Sequence, residues 1–106
     1  MEQFGYYQGR HYTTYIFDVQ ALMQDGKLAA AEQLLLALLD IVEAENTMRG
    51  IGVPPWFYKQ LVRIYSLQDN LDDEVAIIER YNRQSHTNPV TYFALRLTQV
   101  YRYASA

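Results

Sequence analysis

Residues 28–45, LAAAEQLLLALLDIVEAE, decide the fold because they predict one helix that is apolar on more than one side. Alanine, leucine, glutamate and glutamine are strong helix formers, so propensity alone favours a helix here. The large apolar residues cover more than a single stripe of its surface: Leu34, Leu35, Leu38, Leu39, Ile41 and Val42. Such a helix must be buried on two sides, which places it at the centre of the domain.

Shorter amphipathic stretches on either side predict four further helices. The Asp-Gly pair at 25–26 ends the first, because glycine tolerates the left-handed conformation at a helix C-terminus. The proline pair at 54–55 opens the third helix, since a proline in the first turn removes no N–H that the helix needs. Three acids at 72–74 begin the fourth, and Asn-Pro at 88–89 announces the last. No stretch predicts a strand, so the chain is expected to be all-α.

The composition describes one folded domain. The chain has 106 residues, of which half are hydrophobic and a fifth are charged. The absence of cysteine excludes disulfides, cysteine zinc sites and thiol nucleophiles. The start lacks the apolar core of a signal peptide, and Glu32 and Asp40 interrupt the longest apolar stretch. We therefore expect a soluble, cytoplasmic protein with no membrane partner.

Two stretches of the chain resemble each other at an offset of 43 residues. Residues 15–35 read YIFDVQALMQDGKLAAAEQLL, and residues 58–78 read YKQLVRIYSLQDNLDDEVAII. The matching pairs are Tyr15 with Tyr58, Val19 with Val62, Leu22 with Tyr65, Gly26 with Asp69, Leu28 with Leu71 and Leu35 with Ile78. The chain is therefore predicted to contain two degenerate helix-turn-helix repeats.

This pattern resembles the tetratricopeptide repeat (TPR), and the stretch GKLAAAEQLL matches the turn and second helix of that motif. The family's unit has ~34 residues, so the second helix and the following loop are longer here by about nine. Val19, Val62 and Glu74 stand where the motif usually has small residues. The resemblance implies a right-handed α-α superhelix. Its parts are an irregular N-terminal arm (1–11) and one helical domain (12–106) with repeat one (12–45), a loop (46–54), repeat two (55–86) and a capping helix (88–104).

For function, the TPR resemblance implies a groove lined by the first helix of each repeat, which binds a peptide segment or a partner subunit. The positions that correspond to the usual groove-facing ones are Ile16, Gln20, Met23, Lys59, Arg63 and Ser66. Lys59 and Arg63, four residues apart, present two positive charges to one side, which suits an acidic peptide. Ile16 stands where the family's carboxylate clamp has a lysine, so that clamp is not reproduced. The predicted function is a non-catalytic adaptor.

A second candidate surface runs along the last predicted helix, where Tyr92, Arg96, Gln99 and Tyr103 recur at helical spacing. Tyrosine and arginine are typical anchors of protein interfaces, and they also stack on bases and bind phosphates of single-stranded nucleic acid. Residues 1–79 carry five bases against twelve acids, a balance of −7, whereas residues 80–106 carry +4. Single-stranded nucleic-acid binding is therefore the alternative function, although the acidic balance of the whole chain disfavours it.

Motifs of known catalytic chemistry are absent, so no enzyme, cofactor or metal site is predicted. His11 and His86 are the only histidines and flank the two repeats, which leaves an acid–base pair as a third alternative. Two repeats and one helix make a short array. Either the last helix caps it or a second copy does, so the sequence leaves a homodimer open.

Overall fold

The computed structural model describes the backbone of residues 4–105 and the side chains of residues 4–102. Helices dominate this part of the chain, which confirms the all-α prediction. Its elements are β1 (Tyr6–Tyr7), β2 (Arg10–His11), a 3-10 helix (Tyr12–Tyr15), α1 (Ile16–Gln24), α2 (Leu28–Arg49), α3 (Pro55–Leu67), α4 (Leu71–Asn82) and α5 (Thr91–Ser105). Within residues 4–105, every helix is too short or too polar to cross a membrane.

The N-terminal arm forms a short hairpin, in which β1 and β2 pair antiparallel with Tyr6 opposite His11. Gln8 and Gly9 form its turn, and their φ angles are both positive, 49° and 81°. Two positive φ angles in a two-residue turn match the twist of a hairpin. The arm is predicted to be irregular, and the hairpin differs from that prediction because strands of two residues have no periodicity to detect.

Tyr15 attaches this hairpin to the start of α1. Its hydroxyl donates to the carbonyl oxygen of Tyr7 at 2.7 Å, and the Arg10 guanidinium lies 4.1 Å from the centre of its ring. Arg10 also donates to both carboxylate oxygens of Asp18, at 3.1 and 3.2 Å. That ion pair is exposed and contributes little, so the buried Tyr15 provides most of the attachment.

Helix α2 lies at the centre, as its two-sided apolar surface predicts. It packs on α1 along one side and on α3 along another. Its fully buried side chains are Ala31, Leu35, Leu38, Leu39 and Val42. Burial contributes roughly 1.5–3 kcal/mol for each large aliphatic side chain, so α2 is the main apolar support of the other helices.

Edge-to-face ring contacts connect the last three helices. Tyr58 of α3 packs on Tyr81 of α4 with ring centres 5.1 Å apart, and Tyr81 packs on Phe93 of α5 at 4.9 Å. All three rings are buried. Phe93 and Val100 define the inner face of α5, so Tyr101, next to Val100, turns outward and is 50% exposed. The helical spacing of Phe93, Leu97 and Tyr101 in the sequence predicts that Tyr101 faces the core, and this prediction is wrong.

Two helix boundaries differ from the predicted ones. Helix α2 continues to Arg49, four residues beyond the predicted end of repeat one, and Gly50 ends it with a φ of 63°. Helix α5 begins at Thr91, because the carbonyl oxygen of Val90 accepts the first helical N–H groups. The Asn-Pro pair at 88–89 therefore precedes α5 and belongs to the loop.

Asn46 joins two loops at one end of the molecule. Its side-chain nitrogen donates to the Ser85 carbonyl oxygen at 2.7 Å, and its side-chain oxygen accepts the Gly52 N–H at 2.8 Å. Beside it, the Val53 N–H donates to Thr87 Oγ1 at 2.9 Å. Asn46 is buried, so water does not compete for its bonds. These contacts, here called the Asn46 clamp, hold the α2–α3 loop against the α4–α5 loop.

Two carboxylates of α2 accept hydrogen bonds from tyrosines of α3. The Tyr65 hydroxyl donates to Glu32 at 2.7 Å, and the Tyr58 hydroxyl donates to Glu43 at 2.6 Å. Arg80 of α4 donates to both oxygens of Glu43, at 2.8 and 2.9 Å. These bonds set the rotation of α3 against α2. Burial, and then the bonds to the carboxylates, raise the pKa of Tyr58 and of Tyr65.

The turn after α1 has the same geometry as the turn after α3. Gly26 follows α1 with a φ of 72°, and Asp69 follows α3 with a φ of 53°. Both turns contain the long hydrogen bond of a Schellman motif, from residue 27 to residue 22 and from residue 70 to residue 65, each at 2.9 Å. Asp69 therefore occupies a left-handed conformation that costs energy for a residue other than glycine.

Substitutions at these two turns should change the free energy of unfolding in opposite directions. Gly26→Ala is expected to lower the free energy of unfolding by about 1–2 kcal/mol, because alanine is disfavoured in the left-handed region. Asp69→Gly is expected to raise it by about 0.5 kcal/mol, the relieved strain less the added entropy of the unfolded chain. Urea unfolding measures both. A loss of stability in Asp69→Gly as large as that in Gly26→Ala would contradict the shared geometry.

The buried tyrosines should make the protein sensitive to alkali. The folded-state pKa values of Tyr58 and Tyr65 are raised above the unfolded value of about 10. Their contribution to the free energy of unfolding is therefore fully present below pH 10 and is lost as the pH rises further. Each of the two tyrosines adds up to about 1.4 kcal/mol per pH unit to the rate at which the free energy of unfolding falls. Tyr58→Phe with Tyr65→Phe is expected to flatten the slope of unfolding free energy above pH 10.

Urea unfolding at several alkaline pH values provides the measurement, with Tyr92→Phe, an exposed tyrosine, as the matched control. The control should keep the slope of the unsubstituted protein. An unchanged slope in the double variant would mean that other groups cause the alkaline transition.

Candidate functional site

Helix α3 is flanked by two cavities, and the first lies between α1 and α3. This cavity, the α1–α3 groove, has a volume of about 390 Å³. Its lining residues are Gln20, Met23, Gln24, Leu28, Trp56, Gln60, Arg63 and Leu67. The four from α3 recur at spacings of four, three and four, so they form one stripe along the helix. The opposite face of α3 is buried against α2, which turns this stripe outward.

The charge of the groove is positive. Arg63 is the only charged residue of the lining, it is exposed, and no ion pair engages it in the described part of the chain. Lys59, one turn earlier on α3, is likewise exposed and forms no ion pair there. Uncompensated cations on a groove attract carboxylates and phosphates.

Apolar surface lies beside these charges. Leu67 lines the groove and is 63% exposed, and Trp56 lines it with a half-buried ring packed edge-on against Phe57. On α1, Phe17 is 78% exposed and precedes Gln20 by three residues, so it continues the same face of that helix. The arrangement suits a segment that pairs an acidic side chain with an apolar one.

The second cavity, the α3–α5 pocket, lies on the other side of α3. It has a volume of about 310 Å³, and its lining residues are Ser66, Asp69, Leu71, Glu74, Arg96, Gln99 and Val100. Glu74 and Val100 are buried and form its floor, whereas Asp69 and Leu71 are exposed at its edge. Residues of three helices thus contribute to one pocket that is open at its edge.

The ion pair of Glu74 and Arg96 dominates this pocket. Arg96 Nε donates to Glu74 Oε2 at 2.7 Å, and Nη2 lies 2.7 Å from the same oxygen in an ion pair. Glu74 has no exposed surface. Arg96 also donates to Gln99 Oε1 at 2.9 Å and to Ser66 Oγ at 3.3 Å. Glu74 Oε1 is buried and accepts no hydrogen bond from any described residue. The carboxylate is therefore satisfied on one oxygen only.

The ten predicted binding residues divide between the two cavities. Gln20, Met23 and Arg63 line the α1–α3 groove, and Ser66, Arg96 and Gln99 line the α3–α5 pocket. Outside both linings lie the half-buried Ile16, the exposed Lys59 beside the groove and Tyr92, whose ring contacts Phe93. The side chain of Tyr103 lies outside the described residues. The single surface predicted along α5 thus contributes to a pocket shared with α3 and α4.

Two important lining residues escape sequence reasoning. Trp56 has the spacing of a core residue, yet its ring is only half-buried at the groove. Glu74 has the position of an ordinary acid in the first turn of a helix, yet it is fully buried. One signal was available for Glu74, because it stands where a TPR usually has alanine. A large acidic residue at a small-residue position requires a partner, and Arg96 provides it.

The two histidines have separate surroundings. His11 Nδ1 lies 2.8 Å from Thr13 Oγ1, and its ring packs against Tyr6 and Tyr12. His86 has a φ of 61° and lies beside Gly50 in the α4–α5 loop. Among residues with described side chains, no three of histidine, cysteine, aspartate and glutamate are placed to hold a metal ion.

Ion pairs engage half of the arginines in the basic C-terminal quarter. Arg80 pairs with Glu43 and Arg96 pairs with Glu74. Arg83 and Arg102 are exposed and form no ion pair with a described residue. The cationic surface that nucleic acid could contact is therefore smaller than the +4 balance of the sequence indicates.

Comparison of the chain with protein-family models, with curated proteins and with solved structures finds no match. Function is therefore inferred from the two cavities and their charges.

Arg96 should matter for stability far more than Arg102, the other arginine of α5. Arg96→Gln leaves Glu74 buried without its ion pair, so the free energy of unfolding is expected to fall by about 3–5 kcal/mol. The matched control Arg102→Gln, at an exposed position, should change it by less than about 0.5 kcal/mol. Chemical unfolding compares them. Equal, small losses would mean that Glu74 does not depend on Arg96.

Proposed function

We propose that the chain is a non-catalytic interaction module with a TPR-like fold, which binds an acidic peptide segment in the α1–α3 groove. The observation that carries the proposal is the pair of exposed cations, Lys59 and Arg63, without ion-pair partners in the described structure and beside apolar lining residues. The groove lining contains no acid that would neutralise them. A carboxylate supplied by a partner would do so.

The positions of the helices support the TPR-like part of the proposal. Helices α1 and α3 end at Gln24 and Leu67, which are 43 residues apart, and α2 and α4 begin at Leu28 and Leu71, at the same offset. The left-handed turn residues also keep this offset. In this proposal the two pairs form a right-handed superhelix, the first helices of the pairs line the groove, and α5 caps the array.

The groove also defines what a partner should contain. Arg63 lies between Gln60 and Leu67 along the α3 stripe, so a carboxylate bound to it would have an apolar surface within one helical turn. Trp56 lies at the other end of the same stripe. An acidic residue flanked by leucine or phenylalanine would use both features, since the apolar contact supplies affinity and the charge supplies orientation.

Binding of such segments can be followed through Trp56, which is the only tryptophan of the chain and lines the groove. The probes are synthetic peptides in which glutamate flanks leucine or phenylalanine, and the same peptides with glutamine in place of glutamate. Acidic peptides are expected to change Trp56 emission. Lys59→Ala with Arg63→Ala should weaken the binding of the acidic peptides at least about tenfold, because a hydrogen bond to a charged group contributes about 1.5–3 kcal/mol.

The matched control is Arg83→Ala with Arg102→Ala, which removes two exposed cations away from the groove. It should retain peptide affinity and helical content. Equal affinity for glutamate and glutamine peptides, or unchanged affinity in the groove variant, would contradict the proposal. Binding of a single-stranded oligonucleotide that falls steeply with salt and is lost in the control variant would instead favour the nucleic-acid alternative.

A further inference from the structure

The α3–α5 pocket contains a buried acceptor whose hydrogen bonding is incomplete. Arg96 Nε donates to Glu74 Oε2 at 2.7 Å, Nη2 lies 2.7 Å from the same oxygen, and Oε1 is left without a donor in the described residues. Leaving a buried polar atom unsatisfied costs about 1–3 kcal/mol, and more when the group is charged. Oε1 has no accessible surface, so a donor that enters the pocket reaches it only when the atoms that cover it shift, and such a donor would remove this cost.

The polar groups near Glu74 bond to Arg96 or to one another, and none of them donates to Oε1. Gln99 Oε1 and Ser66 Oγ accept from Arg96, at 2.9 and 3.3 Å. At the start of α4, the Asp73 N–H donates to Asn70, and the backbone N–H of Glu74 donates to the Asn70 carbonyl oxygen. These bonds leave Oε1 without a donor.

The charge of the lining selects the kind of donor. Glu74 and Asp69 carry negative charge, and Arg96 is the only cation of the lining, so one negative charge remains in excess. A cationic donor restores neutrality in a partly buried site, where charge interactions are stronger than in water. An anion or a neutral hydroxyl would leave the excess uncompensated.

The geometry further favours an ammonium over a guanidinium. A guanidinium binds best through two parallel donors to both oxygens of a carboxylate, and Glu74 has one oxygen already occupied by Arg96. An ammonium is a compact point charge that needs one oxygen. Leu71 and Val100, the apolar residues of the lining, can cover a short alkyl stem.

We propose that the α3–α5 pocket binds a primary alkylammonium group, with Glu74 Oε1 as its main acceptor and Asp69 as a further negative charge at the edge. The group can belong to a free small amine or to a lysine side chain of a polypeptide, and both present the same chemistry. The site uses none of the residues of the α1–α3 groove, so it stands or fails apart from the proposed function.

Titration of the isotope-labelled protein with n-butylammonium chloride, followed by NMR, tests the proposal. We expect saturable shifts at Ser66 and Gln99. Tetramethylammonium chloride carries the same charge but has no N–H, so it should produce no saturable shift at equal concentration. Equal responses to the two salts, or no saturation below about 0.1 M, would overturn the proposal and leave a water molecule as the partner of Oε1.

Glu74→Gln removes the negative charge while keeping the size of the side chain. It is expected to weaken the binding of n-butylammonium at least about tenfold. Asp72→Asn is the matched control, since Asp72 is an exposed acid in the same first turn of α4 that does not line the pocket. It should bind like the unsubstituted protein. Undiminished binding in Glu74→Gln would overturn the proposal. If that variant does not fold, the comparison of the two salts still decides.

The source of the ammonium can be distinguished with a lysine model, Nα-acetyl-lysine methylamide. Tighter binding of this compound than of n-butylammonium would support a lysine side chain, because backbone amides would then add contacts. Tighter binding of n-butylammonium would support a free amine. Failure of both compounds to bind would overturn the proposal.

Discussion

The helix α2 constrains the whole structure, because it is apolar on two sides yet carries carboxylates that face other helices. Its leucines require α1 and α3 as cover, and Glu32 and Glu43 require donors in that cover. Tyr65 and Tyr58 supply these donors, and a hydrogen bond from a buried hydroxyl to a half-buried carboxylate depends on close distance and alignment. The rotation of α3 about its axis is therefore set by α2, and so is the direction in which its outer stripe points.

Because α3 is held in this way, it separates two cavities of opposite charge. Toward α1 it presents cations without acids, and toward α5 it borders a lining with one excess carboxylate. A single helix, with Arg63 on one side and Ser66 near the other, thus divides a basic surface from an acidic one. The two surfaces would select different chemical groups, even of one extended partner.

Much of the fold could be predicted from the sequence, because helices with strong propensity and long apolar periods carry their own signal. The central position of α2 follows from the apolar residues on more than one of its sides. Gln20, Met23 and Arg63 line one cavity, and their role in binding stays a prediction. The hairpin is too short for a periodic signal. The pocket around Glu74 depends on Arg96, 22 residues away in sequence, and no local pattern reports such a pairing.

The Asn46 clamp has a consequence for how the chain folds and opens. Helical repeat arrays contact mainly their nearest neighbours, so they can fray from one end. Asn46 instead binds Ser85, 39 residues later, so the ends of α2 and α4 must come together at once, against the entropy of closing a long loop. Amide protons of the last two helices should then exchange through openings that also release the end of α2, so that the chain opens as one cooperative unit rather than as two separate helix pairs.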